Sequence, residues 1–332
     1  MSRRARATTI GDVGEFGFLS QLLPRMRGGS GVVVGPGQDC AVIRCGQRRY
    51  LFTVDALVQG VHFKHGWFSA HQLGRKSLLV NASDVAAMGG RPRFCVVSLA
   101  APAEYPMRDL MALQAGIVAA ASEVGAAVVG GNLTRAQELS VSIALLGEAP
   151  KRIITRRGAR RGDRVYVTGT LGDAALGCRV LAGGTRKRAT HAVRRFREPC
   201  PRLQAGQVLV DAGIASAMID VSDGLVQDLG HICEESAVGA LIRTSAVPLS
   251  PQYRRVLGAD ATLALRGGED YELLWTVPKR HMKRLESMRA RLGCPITCIG
   301  EVATGGGVRL LGADGSDVHL NAAGYDHFRS HG

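Results

Sequence analysis

Aspartates recur in this chain at the ends of apolar segments, each among small neighbours. They are Asp39, Asp55, Asp84, Asp220 and Asp223, within the segments GPGQDCA, FTVDALV, VNASDVAAMG and IDVSDG. Any one of them could be a helix cap or a turn residue, and for Asp223 that reading is as good as a functional one. Because an unpaired carboxylate is costly to bury, several of them in apolar surroundings predict a partner of opposite charge.

Asp84 is the most informative of these aspartates. In a helix over residues 73–88, Asn81, Asp84 and Met88 share one face, and apolar neighbours flank it. Aspartate is a poor helix former and belongs on an exposed face, so this position indicates a function. Oxygen ligands without a His or Cys cluster favour Mg²⁺, which in proteins commonly bridges phosphates. Phosphate-binding loops would also explain the 43 glycines.

Composition excludes several classes of protein. The 332 residues are 46% hydrophobic and 21% charged, typical of a globular chain with more than one domain. The net charge of +14 would suit nucleic acid, but the arginines are scattered and carry no DNA-binding motif, so an anionic substrate is preferred. The eight cysteines have no zinc spacing, which predicts reduced thiols in the cytoplasm. Neither a signal peptide nor a membrane span is predicted.

Helical and strand patterns alternate in two blocks. In the first block, helices are predicted over residues 14–26, 73–88 and 107–124, and strands over residues 50–54, 94–101, 126–129 and 139–146. A basic, turn-rich segment at 147–162 separates this block from a second α+β pattern. We therefore predict an N-terminal domain over residues 1–150 and a C-terminal domain over residues 151–332.

Segments along nearly the whole chain resemble the thiamine-monophosphate kinase family, which groups with aminoimidazole ribonucleotide synthetase. They include GEFGFL (14–19), GQDCAV (37–42), DALVQGVHF (55–63), VNASDVAAMGGRP (80–92), VGGNLTR (129–135), IDVSDGLVQDLGH (219–231), GGEDYELL (267–274) and GYDHF (324–328). The resemblance implies a two-domain, aminoimidazole ribonucleotide synthetase-like α+β fold. Its N-terminal α/β domain would bind ATP and Mg²⁺ and form a barrel-like dimer interface, and its C-terminal α+β domain would complete the site.

The resemblance also implies ATP-dependent phosphorylation of thiamine monophosphate to thiamine diphosphate by a cytoplasmic, Mg²⁺-dependent homodimer. It implies metal ligands at Asp39, Thr53, Asp55, Asp84, Asn132, Asp220 and Asp223, ATP contacts at Gly131, Asn132, Arg156 and Ser222, and substrate contacts at His62, Glu269 and Tyr325. No catalytic acid or base is predicted, because the accepting phosphate oxygen is already anionic at neutral pH. Positioning and metal ions would be sufficient for in-line transfer.

Four features depart from the family pattern. Gln38 and Asn132 stand where the family has aspartates, Val54 replaces a hydroxyl residue, and Ala322 and Ala323 stand where an aromatic often precedes GYDHF. The neutral amide of Asn132 would leave the metal site one negative charge short. Two alternatives therefore stay open: another ATP-using enzyme of the same superfamily with a different acceptor, or a non-catalytic nucleotide-binding or nucleic-acid-binding homologue.

Overall fold

The chain folds as two mixed β-sheets, one from each half, with helices packed on them. The computed structural model describes residues 8–26, 28–183, 190–320 and 328. The first sheet uses strands between residues 32 and 148, and the second uses strands between residues 164 and 318. We propose the division at residues 150 and 151 as the domain boundary, because it falls between the two sheets.

The first half contains a six-stranded sheet in the order β1-β2-β3-β6-β4-β5. Its elements are α1 (Ile10–Leu22), β1 (Val32–Val34), β2 (Ala41–Cys45), β3 (Arg48–Val58), α2 (Ala70–Ala87), β4 (Arg91–Ala101), α3 (Met107–Glu123), β5 (Ala127–Arg135) and β6 (Ser140–Glu148). Strands β4 and β5 pair in parallel, and the other neighbours are antiparallel.

Several predicted boundaries were wrong, and two of the differences have a clear physical reason. The first helix ends at Leu22 and continues only as a single 3₁₀ turn, Leu23–Arg25, because Pro24 cannot donate the next helical hydrogen bond. The strand predicted over residues 126–129 runs on through two glycines to Arg135. Parallel pairing with β4 supplies the backbone hydrogen bonds there, and tertiary pairing outweighs the low strand propensity of glycine.

The two faces of the first sheet differ in what covers them. Alternate side chains such as Leu51, Val97 and Ile143 are buried against α2 and α3. The opposite side, which we call the outer face, carries Phe52, Val54, Phe94 and Val96, whose exposed fractions lie between 44% and 64%. A contiguous apolar patch of this kind is unusual on the surface of a monomer.

The second half contains a seven-stranded sheet in the order β13-β12-β9-β11-β7-β10-β8. Its elements are β7 (Arg164–Thr168), α4 (Asp173–Ala182), α5 (Thr190–Arg197), α6 (Leu203–Asp211), β8 (Ala217–Asp220), α7 (Leu225–Ser236), β9 (Gly239–Arg243), α8 (Pro251–Leu257), α9 (Thr262–Arg266), β10 (Leu273–Val277), α10 (Met282–Met288), β11 (Ile296–Ala303), β12 (Gly307–Leu311) and β13 (Asp317–Val318). Among the described residues, no helix is both long enough and apolar enough to cross a bilayer.

Helix α2 packs closely against elements of both halves of the chain. A Cβ added to Gly74 would lie 1.9 Å from the carbonyl oxygen of Leu113 on α3, so the two helices touch backbone to backbone. At the other end of α2, a Cβ added to Gly206 of α6 would lie 2.1 Å from the carbonyl oxygen of Ala86. Because glycine permits both close approaches, α2 is held tightly between the two domains.

Candidate active site

Strand β3 and helix α2 bring two carboxylates together under the first sheet. Thr53 Oγ1 donates a hydrogen bond to Asp84 Oδ2 at 2.6 Å, and the backbone N–H of Asp55 donates to Asn81 Oδ1 at 3.0 Å. Asn81 and Asp84 are three residues apart and lie on one face of α2, as predicted. The helix therefore fixes Asp84 beside Asp55 with two direct contacts to the strand.

Asp39 lies after the first strand and is held by an arginine. Arg156 donates to Asp39 Oδ1 from Nη2 at 2.7 Å and from Nε at 3.2 Å. Gln38, one of the departures from the family pattern, accepts from the backbone N–H of Arg156 at 2.8 Å and so fixes that arginine. Asp39 Oδ2 is buried and has no hydrogen-bond partner within the described part of the chain. Such an oxygen is costly unless a cation binds it.

Asp220 adds a carboxylate from the second domain. It ends strand β8, has an exposed fraction of 3%, and accepts a hydrogen bond from Ser83 Oγ at 2.5 Å. Ser83 precedes Asp84 on α2, so this contact joins the two domains at the site. We call Asp39, Asp55, Asp84 and Asp220 the carboxylate cluster.

Another acid, Asp228, lies just after the IDVSDG segment and stabilises the loop before α7. Its Oδ2 atom accepts hydrogen bonds from the backbone N–H groups of Ser222, Asp223 and Gly224 at 3.1, 3.1 and 3.0 Å. These bonds satisfy donors just before α7 that the helix itself cannot. Asp228 thereby holds the loop that carries Ser222 and Asp223 against the site.

Burial, together with repulsion from neighbouring carboxylates, raises the pKa values of Asp55, Asp84 and Asp220. Burial, followed by the negative charge of Glu269, raises the pKa of Asp55 to about 6. Burial and the charge of Asp39 raise the pKa of Asp220 to about 7. Burial, Asp55 and Asp220 raise the pKa of Asp84 well above its usual value. The folded protein therefore keeps these groups ionised at neutral pH only at a cost in free energy.

The donor set fits Mg²⁺. The carboxylates and the Thr53 hydroxyl offer only oxygen, and Asp39 Oδ2 is an oxygen that lacks a partner within the described structure. Hard divalent cations prefer such ligands, and a cation would cancel the repulsion inside the carboxylate cluster. The residues present therefore suit bound Mg²⁺ better than a soft metal.

A cleft of about 510 Å³ opens beside the carboxylate cluster, between the two domains. Asp55 and Asp84 reach it from the first domain, and Ser222, Asp223 and Glu269 reach it from the second. The lining is rich in carboxylates, which suits metal ions and a substrate that carries positive charge. His62 also lines this cleft.

The loop that carries Glu269 has a strained backbone. Glu269 and Tyr271 have φ angles of 71° and 51°, in the left-handed region that side chains other than glycine rarely adopt. The loop is held to the second domain because the N–H groups of Glu269 and Tyr271 donate to the carbonyl oxygens of Ser222 and Val221 at 2.7 and 2.8 Å. Strain of this kind persists where the surrounding structure holds a functional group in place.

Comparisons with known proteins identify the family. Family models described as AIR synthase related protein, N-terminal domain, and AIR synthase related protein, C-terminal domain, match residues 37–149 and 160–312. Thiamine-monophosphate kinase from Salmonella typhimurium is 38% identical over 325 residues, which cover 95% of this chain and 98% of that protein. The chain belongs to the thiamine-monophosphate kinase family.

Further members of the family match at similar coverage. Thiamine-monophosphate kinase from Bacillus subtilis is 33% identical over 95% of this chain and 99% of its own length. A solved structure named AaThiL complexed with AMPPCP and TMP has a TM-score of 0.84 and 32% identity, and the match covers 98% of this chain and all of that one. The two-domain α+β fold of the aminoimidazole ribonucleotide synthetase type, which the resemblance implied, is confirmed.

Most residues that the family resemblance assigned to the site lie at one place. They are Asp39, Thr53, Asp55, His62, Asp84, Arg156, Asp220, Ser222, Asp223 and Glu269. Tyr325, the remaining residue assigned to substrate, lies outside the described residues.

Gly131 and Asn132 are not brought to the carboxylate cluster within one chain. Asp55 pairs with Ile143, Ile143 with Val97, and Val97 with Gly131, so Gly131 lies three strand spacings, roughly 14 Å, from Asp55. Asn132 pairs with Ser98, and both are exposed on the outer face, opposite the side that Asp55 faces.

Two residues of the site were missed at the level of sequence. Asp228 received no role, although it holds the loop before α7 in place. Lys76 received none either, although it is buried in α2 and contacts Glu269. The signal that singled out Asp84, a charged residue in an apolar helix, also applied to Lys76.

The repulsion within the carboxylate cluster predicts an unusual stability effect. Asp84→Asn removes one buried charge while Asn Oδ1 can still accept from Thr53. Since the pKa of Asp84 is higher folded than unfolded, its ionisation opposes folding at pH 8. We expect the variant in EDTA to melt at least about 2 °C above the parent, the shift that roughly 1 kcal/mol gives in a large protein.

Magnesium should reverse that order. Mg²⁺ should raise the melting temperature of the parent and have much less effect on Asp84→Asn, as measured by scanning calorimetry at pH 8. The matched control is Asp211→Asn, an exposed position at the end of α6, which should keep the full response to Mg²⁺. An Asp84→Asn variant that melts lower in EDTA and responds fully to Mg²⁺ would contradict a metal site at Asp84.

Proposed function

We infer that this chain transfers the terminal phosphate of ATP to thiamine monophosphate and so forms thiamine diphosphate. The observation that carries the inference is the carboxylate cluster, assembled from both domains beside an acidic cleft in a member of the thiamine-monophosphate kinase family. Because ATP is the phosphate donor, we place the reaction in the cytoplasm. Nucleic acid is not part of this proposal.

The residues divide into two groups around the transfer. Asp39, Asp55, Asp84 and Asp220, with Thr53 and Asp223, would hold Mg²⁺, which would supply positive charge to offset that of the phosphates. Arg156 and Ser222 would contact ATP. The accepting phosphate oxygen is anionic already, so no side chain has to remove a proton from it, and the protein contributes alignment and charge neutralisation.

The same cleft also suits the thiamine moiety. Its thiazolium ring is cationic, and Glu269 offers a carboxylate at the wall of the cleft. His62 lines the same cleft, with Nδ1 accepting from the backbone N–H of Val58 at 3.1 Å. That bond fixes the ring and leaves Nε2 as the second polar atom of the imidazole. Tyr325 stays a proposed substrate contact on the family resemblance alone.

A direct assay tests the proposed reaction. Thiamine diphosphate formed from ATP and thiamine monophosphate is separated chromatographically and measured by fluorescence after oxidation to the thiochrome. We expect turnover that requires Mg²⁺, and a fall in kcat on the order of 100-fold or more in Asp220→Asn, since transition-state charge loses its counterion. Asp211→Asn, far from the cleft, should match the parent.

Two results would overturn the proposal. ATP consumption only with an acceptor other than thiamine monophosphate would indicate a different enzyme of the superfamily. ATP binding without turnover of any phosphate acceptor would indicate a non-catalytic homologue.

We further propose that the enzyme is a homodimer joined through the outer faces of two first sheets in a barrel-like interface. The exposed apolar side chains of Phe52, Val54, Phe94 and Val96 support this, because they form a patch that a second copy would cover. Asn132 lies on the same face. If it contributes to nucleotide or metal binding, as the family resemblance implies, it would do so in the site of the second copy.

Charge on the outer face should separate the subunits. Val96→Lys places an ammonium group in the centre of the patch, where burial against a second copy would be costly. Light scattering coupled to gel filtration at micromolar concentration should give a dimer mass for the parent and a monomer mass for the variant. Val256→Lys, at an exposed valine of α8, is the matched control and should stay dimeric. A monomeric parent with full activity would contradict the interface.

A further inference from the structure

Lys76 is a buried charge that the proposed transfer of phosphate does not use. It lies in the middle of α2 and has an exposed fraction of 1%. An ammonium group is strongly hydrated, so its burial is costly unless hydrogen bonds and an opposite charge replace the water. Its surroundings therefore show what the charge is for.

The ammonium group makes four contacts with three residues. Lys76 Nζ donates to Glu269 Oε2 and, at 2.8 Å, to the backbone carbonyl oxygen of Phe196. It also lies 3.8 Å from the ring centroid of Phe196 and 5.4 Å from that of Phe68. Both distances are within the range of cation–π attraction, which is strongest where water is excluded. The rings shield the ammonium group from water and leave Glu269 as its one carboxylate among the described contacts.

These contacts cross the boundary between the domains. Lys76 and Phe68 belong to the first domain, whereas Phe196 on α5 and Glu269 belong to the second. Lys76 is also about two helical turns before Asp84 on α2. One rigid helix therefore carries both a residue of the carboxylate cluster and the ammonium group that forms a salt bridge with Glu269.

Glu269 needs such a restraint. Its backbone is strained, with a φ of 71°, and 26% of its side chain is exposed, on the wall of the cleft. A flexible carboxylate there would lose side-chain entropy whenever a ligand ordered it. With Oε2 bound to Lys76, the carboxylate is already oriented when the ligand arrives.

We propose that Lys76 is a positioning residue that holds Glu269 in the orientation that receives thiamine monophosphate, which rests on the proposed function. Lys76 does not touch the substrate. It acts through Glu269, and its salt bridge links Glu269 to the helix that carries Asp84.

The test compares Lys76→Met, Glu269→Gln and the double variant in steady-state assays that vary thiamine monophosphate and ATP separately. We expect Lys76→Met to raise the KM for thiamine monophosphate about 10- to 100-fold, the size typical of losing a hydrogen bond between charged groups. The KM for ATP should change less than about threefold, since the substitution leaves Arg156 and Ser222, the proposed ATP contacts, in place.

The double variant distinguishes positioning from general damage. If Lys76 acts through Glu269, Lys76→Met should add less than about threefold to the KM for thiamine monophosphate in the Glu269→Gln background, because coupled residues are not additive. If Lys76→Met does not fold, Lys76→Gln replaces it, because its amide keeps the buried position polar but lacks the positive charge, and its nitrogen is one bond shorter than the ammonium that holds Glu269.

The outcomes separate the two proposals. An unchanged KM for thiamine monophosphate in the single Lys76 variant, equal increases in the KM values of both substrates, or additive effects in the double variant would overturn the positioning role while the parent remains active. A parent that forms no thiamine diphosphate would overturn the proposed function and, with it, this inference.

Discussion

The repulsion among buried carboxylates is the constraint on which the rest of this structure depends. Asp39, Asp55, Asp84 and Asp220 come from separate segments and two domains, and burial together with neighbouring negative charges raises the pKa values of Asp55, Asp84 and Asp220. Burying several carboxylates together makes the folded state less stable than apolar packing at the same positions would. The donor set fits a divalent cation, and under the proposed function such a cation would offset this cost and the charge of the phosphates.

Helix α2 links the carboxylate cluster to the packing of both domains. It carries Asp84 and Lys76, it receives α3 closely at Gly74, and its far end meets Gly206 of the second domain. Contacts from a single rigid element thus place the carboxylate cluster and the Glu269 side chain at a set separation. Rigid support of this kind suits a reaction in which alignment supplies most of the catalysis.

Most of the site could be predicted from sequence because its residues break local rules. Asp84 was found as an acid in an apolar helix, and the order of the motifs then implied Asp39, Asp55 and Asp220. The strand through Asn132 was cut short because paired glycines read as a turn. Its place on the outer face depends on the order of four strands, which is a long-range property. The contact between Lys76 and Glu269 joins residues far apart in sequence, so no local pattern revealed it.

The most direct measurement is anomalous diffraction from crystals grown with MnCl₂ and a non-hydrolysable ATP analogue, with data collected near the manganese absorption edge. Mn²⁺ takes the same oxygen ligands as Mg²⁺ and scatters anomalously. We predict anomalous peaks within about 2.5 Å of carboxylate oxygens of Asp39, Asp55, Asp84 and Asp220, with Asp39 Oδ2 among the ligands. A carboxylate cluster without such a peak, in crystals where manganese is bound elsewhere, would contradict the claim that these aspartates exist to hold metal ions.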